Sequence, residues 1–198
     1  MYEYLENYGV SKKVIEAMNR VDRKLFVPSE YVESAYLDIP LPIGYGQTIS
    51  APHMVGLMCE YLKIREGDKI LEIGTGSGYN AAVMSLLVGE SGYVYSIERI
   101  PELAQNAILR ISELGIRNVS IFVRDGKRGL KDYSPFDKIT VTCYAKRIPE
   151  ELIEQLIEDG LMIIPIGNEY VQILTRIIKI EGRIETENLG YVKFVPLV

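Results

Sequence analysis

The chain of 198 residues is 47% hydrophobic and 25% charged, which fits one folded domain and excludes general disorder. Its formal charge of −5 argues against nucleic-acid binding through bulk attraction to phosphates. No apolar run approaches the ~18 residues that span a bilayer, and residues 1–6 lack the basic and apolar regions of a secretory signal.

In chain order, Ser11 is placed to cap a helix running to about residue 20, with Val14, Ile15 and Met18 on one face. A second helix is expected over residues 30–36. Residues 38–48 hold Pro40, Pro42, Gly44 and Gly46, a composition that neither a regular helix nor a central strand accommodates. Pro52 suits the first turn of a helix reaching about residue 62. From Lys69 the pattern becomes a strict alternation. Strands are expected over residues 69–73, 93–97, 119–123, 138–142 and 161–164, and helices over 79–88, 101–114 and 149–158. Such alternation predicts a parallel sheet covered on both faces. Residues 170–180 and 184–195 have no helix between them, and Glu181-Gly182-Arg183 reads as a tight turn. The expected fold is therefore α/β and Rossmann-like. Its seven-stranded mixed sheet combines five parallel strands with a C-terminal antiparallel hairpin, helices on both faces and an N-terminal helical and loop extension. Residues 1–62 form that extension and 63–198 the core of a single domain.

Glu72-Ile73-Gly74-Thr75-Gly76-Ser77-Gly78-Tyr79 joins the first of these strands to its helix. Glycines there let the backbone turn sharply and approach a ligand, toward which helix N-terminal amides point. The dinucleotide fingerprint fails because Tyr79 stands where it needs no side chain, and a phosphate loop would need Gly-Lys-Ser/Thr. Glu98 ends the second strand, 20 residues after Gly78, and Asp125-Gly126 follows the third. Taken singly, each acid reads as a solvated loop residue; together they mark the carboxyl ends of strands, where open α/β sheets bind ligands.

The stretch Glu72 to Gly78 resembles the cofactor loop of class I S-adenosylmethionine-dependent methyltransferases. Pro40-Leu41-Pro42-Ile43-Gly44-Tyr45-Gly46-Gln47-Thr48-Ile49-Ser50-Ala51-Pro52-His53-Met54 is similar to the signature of protein-L-isoaspartate O-methyltransferases. The resemblance continues through Arg23-Lys24-Leu25-Phe26-Val27-Pro28, Ala35-Tyr36-Leu37-Asp38, Pro135-Phe136-Asp137 and Val195-Pro196-Leu197. It implies methyl transfer from S-adenosyl-L-methionine, with S-adenosyl-L-homocysteine as product, to the free α-carboxylate of L-isoaspartyl residues in damaged proteins and peptides. It also implies a cofactor site of Thr48, Ile49, Ser50, Glu72, Gly74, Thr75, Gly76, Ser77, Gly78, Glu98, Asp125 and Gly126. In that resemblance Glu98 accepts the ribose hydroxyls and Asp125 the adenine amino group. Ser50 is the active-site position, holding the acceptor carboxylate, and Ile43, Ser50 and Val195 contact substrate. From the residues alone, Ser50 reads more readily as a helix N-cap beside Pro52 than as an active-site group.

The chemistry agrees with the composition. A carboxylate with pKa near 4 is already ionised at neutral pH, so its methylation needs positioning rather than a general base. The chain has one histidine, His53, which reads as structural, and no Ser-His-Asp arrangement. Cys59 and Cys143 are too few for a disulfide framework and lack metal-ligand spacing, which fits reduced thiols in the cytoplasm and no bound metal. Cys143 follows Thr142 as in cytosine-5 RNA methyltransferases, but the second cysteine of that chemistry is missing. An RNA adenine methyltransferase would bring an Asn-Pro-Pro-Tyr motif, which is absent. A nucleoside-binding homologue without catalysis is the non-enzymatic alternative. Tyr144, Arg124 and the end of the chain at Val198, after Pro196-Leu197, depart from the family pattern. The expected partners are isoaspartyl proteins, with no nucleic acid and no membrane, and the expected state is a monomer.

Overall fold

The computed structural model describes residues 1–197. Helix α1 (Lys12–Arg20) buries Val14, Ile15 and Met18 as its spacing predicts. Ser11 does not cap it through its side chain; its backbone N–H instead donates to Glu60 Oε2 at 2.9 Å. The expected helix over residues 30–36 is a 3₁₀ segment, Ser29–Ser34, with no buried residue to hold a longer α-helix. Next, β1 (Leu41–Gly44) and β2 (Gln47–Ile49) pair as a small antiparallel hairpin separate from the main sheet. Its turn places both Tyr45 and Gly46 at positive φ, 54° and 70°, the backbone that a two-residue turn requires. Helix α2 (Pro52–Leu62) begins at the expected proline.

The alternation then proceeds through β3 (Lys69–Ile73), α3 (Tyr79–Val88), β4 (Tyr93–Glu98), α4 (Pro101–Glu113), β5 (Val119–Val123), β6 (Phe136–Val141), α5 (Glu150–Glu154) and β7 (Leu156–Gly167). β8 (Gln172–Ile180) and β9 (Arg183–Val192) add the antiparallel hairpin. The order across the sheet is β5-β4-β3-β6-β7-β8-β9, with the first five strands of the sheet in sequence mutually parallel. The chain moves outward from β3 in one direction and resumes at β6 on its other side. The crevice at the carboxyl ends of β3 and β6 is therefore a topological switch point, the place where open α/β sheets take ligands.

Several boundaries differ from the sequence reading. The expected helix over residues 149–158 stops at Glu154, because Gln155 turns away to serve its neighbours. Its Oε1 accepts from Leu130 N at 2.6 Å, its Nε2 donates to Arg128 O and Glu151 O, and its carbonyl accepts from Phe136 N. Lys179 Nζ then caps the Ile153 and Leu156 carbonyls, so β7 starts five residues earlier than expected. β8 starts two residues later than expected, since the Asn168 side chain holds Tyr170 N and Val171 N in a turn, and β9 ends at Val192 rather than residue 195.

The sheet separates two cores. On β3, Ile70 joins one cluster with Tyr2, Leu5, Met18, Met84 and residues of α1, α2 and α3, whereas Leu71 and Ile73 join the other with Ile97, Ile139, Val141 and Leu152. The N-terminal segment thus shares a core with the sheet. Helix α3, apolar on every side, is buried between that segment and the strands. The opposite face is covered more thinly, by α5 and two short 3₁₀ turns.

Candidate functional site

Three adjoining cavities lie at the carboxyl ends of β3 and β6. A groove runs past Gly74, Gly76, Glu98, Arg99, Gly126, Cys143 and Val195. A side pocket is bounded by Ile49, Ser50, Gly74 to Ser77, Tyr79 and Asn80. A cleft of about 640 Å³, large enough for a few residues of a peptide, is bounded by Ser50, His53, Met54 and the strand end Tyr191 to Val195. Thr48 and Thr142 line all three. They mark where the spaces meet.

The glycine loop is shaped by contact as much as by flexibility. Gly74 has φ +95°, and a Cβ there would sit 2.3 Å from Thr142 Oγ1. That hydroxyl donates to Gly74 O at 2.6 Å, drawing β3 and β6 together at the cavity floor. Glu98 is nearly buried, and its two oxygens accept from Gly76 N and Ile100 N, both at 2.9 Å. Each oxygen keeps further acceptor capacity and Glu98 lines the groove, so the carboxylate is oriented and still able to accept.

Glu72 is fully buried and lines none of these cavities. Its Oε1 accepts from Asn80 Nδ2 at 2.8 Å and its Oε2 from Ser96 Oγ at 2.5 Å, and Ser96 in turn meets Thr75 Oγ1. Burial pushes its pKa up to about 7, against the lowering effect of those two donors, and the nearby Glu98 charge adds to the rise. Asn80, which Glu72 holds, is the residue that reaches the side pocket.

The other expected residues distribute as follows. Ile49, Thr75 and Ser77 line the side pocket, Gly126 lines the groove, and Val195 borders both groove and cleft. Gly78 instead starts α3, and packs against Ala107. Asp125 is exposed, lines none of the three cavities and accepts from Lys127 N. Ile43 stands outside the cleft lining; its Cδ1 lies over Gly76, 3.4 Å from where a Cβ would be.

Ser50 is not a helix cap. The N-cap position of α2 is Ala51 and carries no side-chain cap bond; Asp38 Oδ1, arriving from the preceding loop, accepts from His53 N at 2.9 Å. Ser50 therefore faces the side pocket and the cleft with its hydroxyl uncommitted to the helix. Cys143 borders the groove, but burial pushes its pKa up to about 12, so it is a neutral thiol and not a nucleophile.

Sequence reasoning missed Thr142, Asn80, Gln47, Arg99 and the cleft position of His53. Thr142 had a usable signal, its place at the carboxyl end of the central strand beside β3. Of the C-terminal segment, the expected site includes Val195 alone, whereas Pro196 and Leu197 also line the groove. It is held over the groove by Tyr144, whose N–H donates to Val195 O and whose carbonyl accepts from Leu197 N, each at 2.8 Å.

The cavities fit an adenosyl amino acid: a floor kept open by a missing Cβ, an oriented acceptor for hydroxyls and a polar pocket at a helix N-terminus. Comparison with known proteins agrees. The sequence profile of the family described as protein-L-isoaspartate(D-aspartate) O-methyltransferase matches residues 1–198. The chain belongs to that family. Among relatives, the protein-L-isoaspartate O-methyltransferase of Fervidobacterium nodosum is 71% identical over 197 residues, covering 100% of this chain and 99% of that protein. The Thermosipho melanesiensis enzyme of the same name is 60% identical over the full length of both. A solved protein-L-isoaspartate O-methyltransferase superposes with a TM-score of 0.91 at 34% identity, covering 98% of this chain and 63% of that one. A Plasmodium falciparum structure, described as a protein of this family in complex with S-adenosyl-L-homocysteine, gives a TM-score of 0.88 at 31% identity, with 99% and 95% covered.

Proposed function

We infer that this protein methylates the free α-carboxylate of L-isoaspartyl residues in damaged proteins and peptides, using S-adenosyl-L-methionine. One observation carries the reading beyond family membership: the groove and the cleft open onto each other at Thr48 and Thr142. The cofactor supplies an electrophilic methyl group and leaves as S-adenosyl-L-homocysteine. Glu98 would accept the ribose hydroxyls, and Gly126, with Asp125 next to it in the chain, would border the adenine. Asn80, Ser77 and Thr75 would hold the amino-acid end, with Glu72 acting through Asn80 rather than by contact.

Ser50 would donate its hydroxyl to the acceptor carboxylate and keep one oxygen aimed at the junction. Thr48, Ile49 and Val195 close the space around it, and Ile43 presses the hairpin onto the glycine loop. No residue need remove a proton, because the acceptor is already an anion. We further propose that residues 1–62 and 63–198 work as one domain, as a monomer in the cytoplasm. The shared core of the two segments and the two buried free cysteines support that view.

The test is incubation with methyl-labelled cofactor and matched peptides carrying isoaspartate or aspartate, with transfer RNA alongside. Base-labile label confined to the isoaspartyl peptide is the expected result. Label on RNA, or on neither peptide, overturns the reading.

A further inference from the structure

Resting on that reading, we propose that His53 distinguishes an isoaspartyl residue from an ordinary aspartyl one, by accepting the substrate's own backbone N–H through Nε2. His53 lines the acceptor cleft with Thr48, Ser50 and Val195. Its ring is fixed from two sides. Asp38 Oδ1 lies 2.9 Å from Nδ1 while also accepting His53 N–H, and the Tyr8 ring stacks on the imidazole at 5.2 Å between centroids and 16° between planes. A carboxylate oxygen can only accept, so the proton sits on Nδ1; in that tautomer Nε2 is the acceptor.

The rest of the cleft sharpens this assignment. Its titratable lining groups besides His53 are Tyr191 and Lys193, and no acidic side chain lines it among the described residues. Ser50 and Lys193 are donors suited to a carboxylate. An acceptor nitrogen among them is suited to a donor that travels with the carboxylate.

An isoaspartyl residue carries such a donor. Its α-carboxylate and its amide N–H are borne on the same carbon. In an ordinary aspartyl residue the side-chain carboxylate stands one methylene further from the N–H. A site that pairs the carboxylate at Ser50 and the N–H at His53 therefore measures that separation. Binding aspartate leaves one of the two partners without its hydrogen bond, and a buried polar group left unpaired discriminates far more strongly than a misfitted methylene.

The experiment is a cycle between enzyme and substrate, read by mass spectrometry of the methylated product. Wild type, His53→Ala and His53→Gln are each given an isoaspartyl peptide and its depsipeptide analogue, in which an ester oxygen replaces the isoaspartyl N–H. For wild type, the analogue should lower kcat/KM by about tenfold or more, the effect of removing one buried hydrogen bond. His53→Ala should show a similar loss on the amide peptide and less than about twofold further loss on the analogue. His53→Gln, with a carbonyl that can accept, should recover part of the activity and of the sensitivity to the N–H. Cofactor affinity by calorimetry and the unfolding temperature should be nearly unchanged in both variants, since Asp38 still accepts the backbone N–H of residue 53. Losses that simply multiply, a wild type indifferent to the analogue, or equal loss of cofactor affinity would each overturn the proposal while leaving methyl transfer intact. Failure of wild type to methylate the amide peptide would overturn the function itself.

Discussion

Replacing Glu72 by Gln should remove a loss of stability that sets in as pH rises toward 7. The carboxyl is completely buried, accepts from two neutral donors and has no cationic partner within salt-bridge distance among the described residues. Burial lifts its pKa to about 7, from 4.5 for the exposed group. Below the unfolded value both states are protonated and its contribution is fully present. As pH rises from there to about 7, the native state retains a proton that the unfolded chain has released, so stability falls; above 7 both forms are ionised and the slope vanishes. With 1.36 kcal/mol per unit, the loss amounts to about 3 kcal/mol at most. Glu72→Gln removes that slope, because a neutral amide has no proton to lose, and Ser96 can turn its hydroxyl to accept from it. Urea unfolding at pH 5 and pH 8 should show the variant gaining on wild type by about 2–3 kcal/mol at the higher pH, while other carboxylates cancel in the comparison. Parallel curves for the two proteins, within about 0.5 kcal/mol, would show that burial does not govern this carboxyl.

Gly74→Ala adds a side chain at φ +95° and 2.3 Å from Thr142 Oγ1. It should cost about 2–4 kcal/mol and about 4–16 °C in unfolding temperature, with Thr142→Ala in the same chain recovering about half; a double variant no better than the single would contradict the clash. Ser50→Ala should lower kcat by about tenfold or more while leaving cofactor affinity by calorimetry within about twofold; equal losses in both would assign Ser50 to the cofactor alone. Ile43→Ala trims a half-buried side chain above Gly76 and should cost about 1–2 kcal/mol, with a several-fold drop in kcat and little change in peptide KM. A loss confined to peptide KM would return Ile43 to direct substrate contact.

The alternation of strands and helices after Lys69, the final hairpin and the glycine loop were legible in the sequence because each follows from local chemistry. Apolar runs of strand length, proline at helix starts and glycine where the backbone must turn are all read within a few residues. Gln155 was not legible. Its effect on α5 depends on Leu130 and Arg128, which lie about 25 residues away in the chain. The same holds for the cap of α2: local rules point to Ser50, yet the acceptor is Asp38, 15 residues before the His53 N–H that it holds. Glu72 shows a third kind of limit. Its position before the glycines is visible, but its complete burial, and hence its action through Asn80, depends on how α3 and β4 close over it.

The placement of Thr48 and Thr142 on different sheets bears on catalysis. Thr142 follows β6 in the main sheet and is tied to Gly74, whereas Thr48 belongs to a hairpin that makes no ladder with that sheet. The hairpin is seated by side chains: Leu41 and Ile49 enter the core, and Ile43 lies on Gly76. The alignment of acceptor and methyl carbon thus depends on packing between two separately hydrogen-bonded units. Methyl transfer to a carboxylate offers no proton step through which a misaligned site could be rescued, so small errors in that packing appear directly in the rate. Asp38 lies just before the hairpin and His53 just after it, and their bond closes the segment into a loop anchored at the start of α2. The bond from the His53 backbone N–H to Asp38, which does not involve the ring, therefore limits how far the hairpin can shift against the glycine loop.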